Sequence, residues 1–278
     1  VFDYLVVDEA GQVGLANLFA MTGAARNIVL AGDQMQLKQP LLDGVHTGEC
    51  GKSCLEFFIG DGVVVVETNR GFFLPETYRM SFDLTSFISR HFYKGQLQTH
   101  QTARENRIIR DDGSPASGIR CLRQCHIGNM QTSDEEIDAA VQLCTALISC
   151  HFMKISGEKR RDITTADILV ISPYNAHVSR LKQRFAKERG HLAQIRIGTV
   201  DLFQGQQAGI VVLSMGSSSG ASGRLDFLLD PNRMNVALSR AQALTIVIAS
   251  EELLKSSASA ASQMVNLNRL QEIMDMPW

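Results

Sequence analysis

An apolar run near the start of the chain, Phe2-Asp3-Tyr4-Leu5-Val6-Val7, stops at two adjacent acids and continues in small, turn-permitting residues, Asp8-Glu9-Ala10-Gly11-Gln12. The run reads as a buried strand whose end presents two carboxylates. In a nucleotide-binding α/β sheet, ligands bind beyond the carboxyl ends of the strands, so an Asp-Glu pair there is placed to hold Mg2+ and orient an attacking water. For the pair taken alone, a solvated acidic loop start is the alternative. A second short run, Asn27-Ile28-Val29-Leu30-Ala31, ends in the same manner at Gly32-Asp33-Gln34-Met35-Gln36-Leu37. Gly32 permits a sharp exit. The Gln36 amide could hydrogen-bond a phosphate oxygen and so report a third phosphate; a polar loop is the alternative there.

The elements that must position these groups alternate along the chain. Residues 15–25 are helix-compatible and separate the first two strands. The four valines within residues 62–67 read as a strand or an edge, and a domain boundary is expected near residue 70. Leu84, Phe87, Ile88 and Phe92 form a helical stripe over residues 83–93, closed by Gly95. Residues 101–118 are polar and irregular, and 119–125 read as a strand. Ser133-Asp134-Glu135-Glu136 has the spacing of a capping box and opens a helix with Ile137, Ala140, Val141, Cys144, Leu147 and Ile148 on one face. Strands over 167–172, 194–200, 209–214 and 244–249 then alternate with helices over 176–189 and 235–241. A Ser/Gly loop at 216–223, expected to be mobile, and a terminal helix running to Trp278 complete the pattern. Such alternation predicts an α/β fold with a parallel sheet covered by helices on both faces.

Composition narrows the function classes. Of 278 residues 45% are hydrophobic and 20% charged, without an apolar run of membrane-spanning length, so no membrane partner is expected. The balance of 27 Lys+Arg against 29 Asp+Glu provides no basic field, and a nucleic-acid contact would need a local groove. Six cysteines without a secretory segment read as reduced thiols in a cytoplasmic setting. Cys50/Cys54 and Cys121/Cys125, the latter followed by His126, share a spacing, but the second pair falls in a strand pattern rather than a zinc knuckle. Gly51-Lys52-Ser53 looks like the end of a P-loop, yet the required upstream glycine is His46 and no strand precedes it. The chain opens at Val1 inside a strand pattern and is read as part of a longer protein.

Six ordered segments together resemble the second half of a superfamily 1 helicase, in the branch of RNA-surveillance helicases and nuclease-helicase fusions. Asp8-Glu9-Ala10-Gly11-Gln12 is similar to Walker B and Gly32-Asp33-x-x-Gln36-Leu37 to motif III. Tyr78-Arg79-Met80 and Ser172-Pro173-Tyr174-Asn175 follow. Thr199-Val200-Asp201-x-Phe203-Gln204-Gly205-Gln206 is similar to motif V, and Asn232 to Ala241 to motif VI. The similarity is strongest to bacterial proteins in which a RecB-like nuclease precedes the helicase.

The resemblance implies a remnant of a first RecA-like domain over residues 1–70 and a complete second RecA-like domain over 71–278. It implies ATP and Mg2+ as cofactors, with Asp8 holding the metal through water, Glu9 positioning or deprotonating the attacking water, and Gln36 sensing the third phosphate. Arg79 and Arg240 would neutralise charge in the transition state, and Gln12, Gln204, Gly205 and Gln207 would contact nucleotide. Ser172, Pro173, Tyr174, Asn175 and Thr199 would grip single-stranded nucleic acid, DNA in preference to RNA, in 5′-to-3′ movement. An upstream helicase half, with or without a nuclease domain, is the implied partner in the same parent chain. Arg180, Lys182 and Arg184 read instead as a solvated helix face. Two positions depart from the pattern: motif V usually continues with Glu and then Asp, and here Gln207 and Gly209 occupy those places.

Overall fold

The opening run forms strand β1 (Phe2–Val7), and the chain returns through helix α1 (Leu15–Met21) to strand β2 (Ala25–Leu30). A computed structural model describes residues 1–39, 48–154, 160–188, 190–219 and 225–278, so His46 lies outside the described residues. The chain divides into two compact units, Val1–Leu74 and Pro75–Trp278. In the first, β1 and β2 pair in parallel from Phe2 beside Ala25 to Val7 beside Leu30. A small core of Val7, Ala10, Leu18, Cys54 and Leu55 joins one face of this pair to α1 and to helix α2 (Cys54–Ile59). Phe2, Tyr4 and Val6, which alternate with the inward Leu5 and Val7, are exposed, as are Ile28 and Val29. Parallel strands are normally covered on both faces.

Two expectations for this unit change. The first concerns β1 and β2, read as buried strands: both are largely exposed. The valines at 63–66 are not in a strand: Gly60 and Gly62 both take positive φ, and residues 61–70 run through turns and bends. Composition favours extension there, but the backbone is turned at the outset and finds no strand partner among the described residues. Gly51-Lys52-Ser53, the P-loop look-alike, closes a 3-10 turn (Gly48–Gly51) and caps α2. Ser53 and Glu56 form a reciprocal capping box, and the Lys52 ammonium pairs with Glu49 and Asp61.

The second unit is built on helix α3 (Phe82–Phe92), strand β3 (Gly118–Gln124), helix α4 (Asp134–Ile148), strand β4 (Ile168–Ile171) and helix α5 (Asn175–Ala186). Strand β5 (Arg196–Gly198), strand β6 (Ala208–Ser214), helix α6 (Pro231–Ser239), strand β7 (Ala241–Ser250) and helix α7 (Ala261–Met274) follow. The five strands form one parallel sheet in the order β5-β4-β6-β7-β3. Ile168, Val170, Ile210, Val212, Ile246 and Ile248 share a core with α4 and α5. The intervening Leu169, Ile171, Val211 and Val247 are equally buried, and Thr245 on their face donates to the Leu238 carbonyl of α6. Helices therefore cover both faces, as the alternation predicts.

The stretch read as irregular contributes instead to a four-stranded antiparallel sheet of Pro115–Ala116, Arg107–Ile109, His151–Met153 and Arg161–Asp162. Its strands have two or three residues, too short to show a period. Helix α6 begins earlier than expected because Asp230 accepts the Arg233 N–H and Pro231 occupies the first turn. The terminal helix stops at Met274, before Trp278. Ser217 and Ser218, in the segment expected to be mobile, are buried and bond to Asn129, while 220–224 lie outside the described residues.

Ser133 caps α4 through the Glu136 N–H at 3.1 Å, but Glu136 does not reciprocate. Its carboxylate is fully buried and accepts from Ser214 Oγ at 2.7 Å, from the Gly216 N–H at 2.8 Å and from His126 Nε2 at 3.0 Å. His126 Nδ1 accepts from Asn129, and the His126 carbonyl from Ser250. Behind Ser214 lies His177: the Ser133 N–H can only donate to Nδ1, so Nε2 carries the proton and donates to Ser214 Oγ at 2.7 Å. Burial pushes the His177 pKa down to about 4. Because the unfolded chain binds this proton more readily, stability is complete above the ordinary histidine value of 6.5 and falls as pH drops from there towards 4. Equilibrium urea denaturation between neutral pH and pH 4 should show this loss, of up to about 3 kcal/mol, and His177→Asn should flatten the slope.

Candidate functional site

The acids sit where the first strand ends. Glu9 has a left-handed backbone, φ 52°, which for a residue with a side chain costs about 1 kcal/mol or more. That turn is closed by the Gln12 N–H on the Glu9 carbonyl at 2.8 Å and by the Glu9 N–H on Asp8 Oδ1 at 2.9 Å. Both acids are exposed. A single carboxylate at an open strand tip suits a cation that retains most of its water, which is the preference of Mg2+. Among the described residues no three His, Cys, Asp or Glu side chains converge as a metal-ligand set.

The Gln36 loop is locked against this turn. The Ala10 N–H donates to the Ala31 carbonyl, and the Ala31 N–H to the Val7 carbonyl, each at 2.8 Å. Asp33 organises the loop by accepting from the Met35 N–H at 2.9 Å and from Gln36 Nε2 at 3.0 Å. Gln36 and the acids thus arise from adjacent strand tips of one unit. Glycine is required at the seam: a Cβ on Gly32 would lie 2.8 Å from the Ala10 nitrogen and 3.0 Å from that of Gly11. Gln12 is half-buried, and its Nε2 is buried with no acceptor among the described residues.

In the second unit the two arginines are gripped by consecutive residues. Arg79 donates from Nε to Gln207 Oε1 at 3.0 Å and from Nη1 to the Ser239 carbonyl at 3.1 Å. Arg240, the cap residue of α6, is buried and donates from Nε to the Val236 carbonyl at 3.1 Å and from Nη1 to the Gln206 carbonyl at 3.5 Å. Carbonyls at a helix carboxyl end attract cations. Burial lowers the Arg79 pKa from its ordinary value, and no carboxylate among the described residues pairs with its guanidinium. The segment reaching these contacts turns at Gly205, φ 73°, immediately after Gln204 ends a 3-10 turn (Asp201–Phe203).

Gln206 was not among the expected residues, yet its amide also accepts from Arg196 at 2.9 Å and donates to the Leu202 carbonyl at 3.1 Å. Two adjacent glutamines in a turn were the only sequence signal for that role. Gly209 has a steric reason: a Cβ there would lie 3.1 Å from the Phe152 ring.

The residues expected to grip nucleic acid lie on the opposite rim. Gln207 and Arg240 immediately precede β6 and β7, whereas Ser172–Asn175 and Thr199 immediately follow β4 and β5. In a parallel sheet these are opposite ends, and residues 199–207 run from one to the other. Asn175 is exposed, Pro173 and Thr199 are half-buried, and Ser172 is buried. Tyr174 is also buried, its ring 5.5 Å from that of Phe227, so in this conformation it is a packed side chain rather than an open stacking platform. Arg180 and Arg184 pair with Asp134 and Asp138 of α4, as a solvated helix face would.

A family model described as "AAA domain" matches residues 53–252. The chain belongs to this AAA domain family. It is 29% identical over 268 residues to the probable helicase MAGATAMA 3 of Arabidopsis thaliana, covering 92% of this chain and 31% of that protein. It is 28% identical over 277 residues to the DNA polymerase alpha-associated DNA helicase A of Saccharomyces cerevisiae, covering 92% and 39%. A third relative, the DNA replication ATP-dependent helicase/nuclease dna2 of Schizosaccharomyces pombe, is 27% identical over 275 residues, covering 92% and 19%. The chain therefore spans well under half the length of these relatives, and it is helicase-like over nearly all of its own length.

Gly32→Ala should lower the stability of the first unit by about 1–3 kcal/mol through displacement of the acidic turn, whereas Gly23→Ala, with open space around its added methyl, should not. Urea denaturation of the two variants beside wild type checks this.

Proposed function

We propose that this chain is part of an ATP-dependent superfamily 1 helicase or translocase, with residues 1–70 the closing portion of a first RecA-like domain and 71–278 a second. The observation that carries the reading is the arginine pair: Arg79 and Arg240 are held by consecutive loop residues at one helix end, and the acceptors on Arg79 among the described residues are neutral. A cationic fork held by neutral acceptors, as that of Arg79 is, suits phosphate oxygens. In this reading Asp8 holds hydrated Mg2+, which supplies charge neutralisation to ATP; Glu9 orients or deprotonates water; Gln36 reads the third phosphate. Gln12, Gln204, Gly205 and Gln207 contact nucleotide. The exposed apolar faces of β1 and β2 support a larger first domain to which those strands belong.

Names of the relatives support movement on nucleic acid, and one of them names a nuclease as well. The track in this reading is single-stranded, DNA in preference to RNA, travelled 5′-to-3′ and gripped by Ser172, Pro173, Tyr174, Asn175 and Thr199, in a cytoplasmic protein of the RecB-like nuclease-helicase branch. Residues 199–207 link that rim to the arginine rim, a direct route for coupling hydrolysis to grip. A second reading, a nucleic-acid-binding module whose motor has decayed, is favoured by Gln207 and Gly209.

The test is ATP hydrolysis by the intact parent protein, with and without single-stranded DNA and RNA. We expect stimulation by one polymer and a loss of about a thousandfold in kcat for Arg240→Ala, with Glu9→Gln comparably impaired. Residues 1–278 alone should not turn over ATP. An intact protein that binds a strand and never hydrolyses ATP would establish the decayed module.

A further inference from the structure

Tyr174 is buried where the chain leaves β4, and a ring packed on it, that of Phe227, is 39% exposed. The two rings lie 5.5 Å apart and are tilted by 30°. Phe227 belongs to a short helix (Leu225–Leu228) that is pinned in place. Leu225, Leu228 and Leu229 are buried, and Asp226 accepts from Gln263 Nε2 of α7 at 2.9 Å. The exposure of Phe227 is thus a property of an anchored segment. A single exposed phenylalanine is ordinary on a protein surface; its neighbour sets this one apart.

Arg233, in the first turn of α6, lays its guanidinium over the Phe227 ring, with Cζ 4.2 Å from the centroid. That position runs against helix electrostatics, because the amino end of a helix is positive and favours anions. The acids nearby in sequence are otherwise engaged: Asp226 holds Gln263, and Asp230 caps α6 by accepting the Arg233 backbone N–H at 2.8 Å. No described carboxylate pairs with the guanidinium, whose contact is the ring. Helix α6 runs back to the arginine rim and ends at Arg240, so its amino end stands on the rim of Ser172–Asn175. A planar cation with unmatched donors, stacked on a partly open aromatic ring, offers a π face to a nucleobase and N–H groups to a phosphate.

We propose that Phe227 and Arg233 form a base-stacking subsite for single-stranded nucleic acid. An unpaired base lies against this pair, the adjoining phosphate takes the Arg233 donors, and Tyr174 backs the Phe227 ring from within. Tyr174 then grips the strand through Phe227, which accounts for a buried ring at a position where an open one is expected. The subsite accepts any base, since every base has a π face. This rests on the placement of the nucleic-acid track at this rim made above, and it holds for a motor and for a decayed module alike.

The experiment is equilibrium binding by the intact parent protein, read by fluorescence anisotropy without nucleotide. The probes are labelled oligothymidine, oligouridine and an abasic strand of equal length. Phe227→Leu should weaken the better-bound base-bearing strand about tenfold and leave the abasic strand within about twofold of wild type. Phe227→Trp, which keeps a π face, should retain the preference for bases. Arg233→Ala should weaken every strand and lower the slope of log Kd against log salt by about one. Equal weakening of base-bearing and abasic strands by Phe227→Leu, or binding unchanged by it, overturns the subsite and leaves the track in place. An unchanged salt slope in Arg233→Ala overturns the phosphate contact. Wild-type protein that binds none of the three strands overturns the track, and the subsite with it.

Discussion

A carboxylate sealed from water obliges its neighbours to point at it, and Glu136 imposes that condition on the second unit. Its oxygens take hydrogen bonds from His126, Ser214 and the Gly216 backbone. Those residues stand at the carboxyl ends of β3 and β6, His177 extends the set to α5, and Ser250 extends it to β7. Four separate segments are thereby fixed at one rim of the sheet by polar bonds, while the apolar residues beneath fix only their depth. Hydrophobic burial is non-directional and does not specify where strand tips lie along the sheet. The buried carboxylate does, because each of its partners has one productive orientation.

The opposite rim follows another logic. There the charges are cationic, and Arg79 and Arg240 both donate to main-chain carbonyls, Arg79 also to one amide. One rim is organised by a buried carboxylate; the other carries the two arginines. Residues 199–207 connect them, beginning beside β5 and ending on Arg79, with one left-handed glycine to make the turn. In the first unit the same economy of means places Asp8, Glu9 and Gln36 on adjacent strand tips, joined by backbone bonds that exclude a side chain at position 32.

Much of this was legible in the sequence wherever a period or a cap carried it. The stripe of Leu84, Phe87, Ile88 and Phe92, the Ser133 cap and the apolar runs of β4, β6 and β7 each declared an element, and their alternation declared the sheet. The valines at 63–66 misled because composition reports preference and not partners. Glu136 misled more instructively: its spacing from Ser133 is that of a capping box, yet a buried histidine and serine compete for its carboxylate and win. Such a network joins residues far apart in sequence, and no local signal announces it. The packing of Tyr174, for which the resemblance implies a grip on nucleic acid, is unannounced for the same reason, since Phe227, which it packs against, is remote in the chain.

The contact between Gly209 and Phe152 bears on how this sequence can change. With the ring 3.1 Å from where a Cβ would stand, an aspartate at 209 requires the Phe152 ring to give by a few tenths of an ångström. The two positions lie on different sheets, one at the start of a parallel strand and one in the small antiparallel sheet. They form a linked pair: the room for a side chain at the first is set by how far the ring at the second can yield.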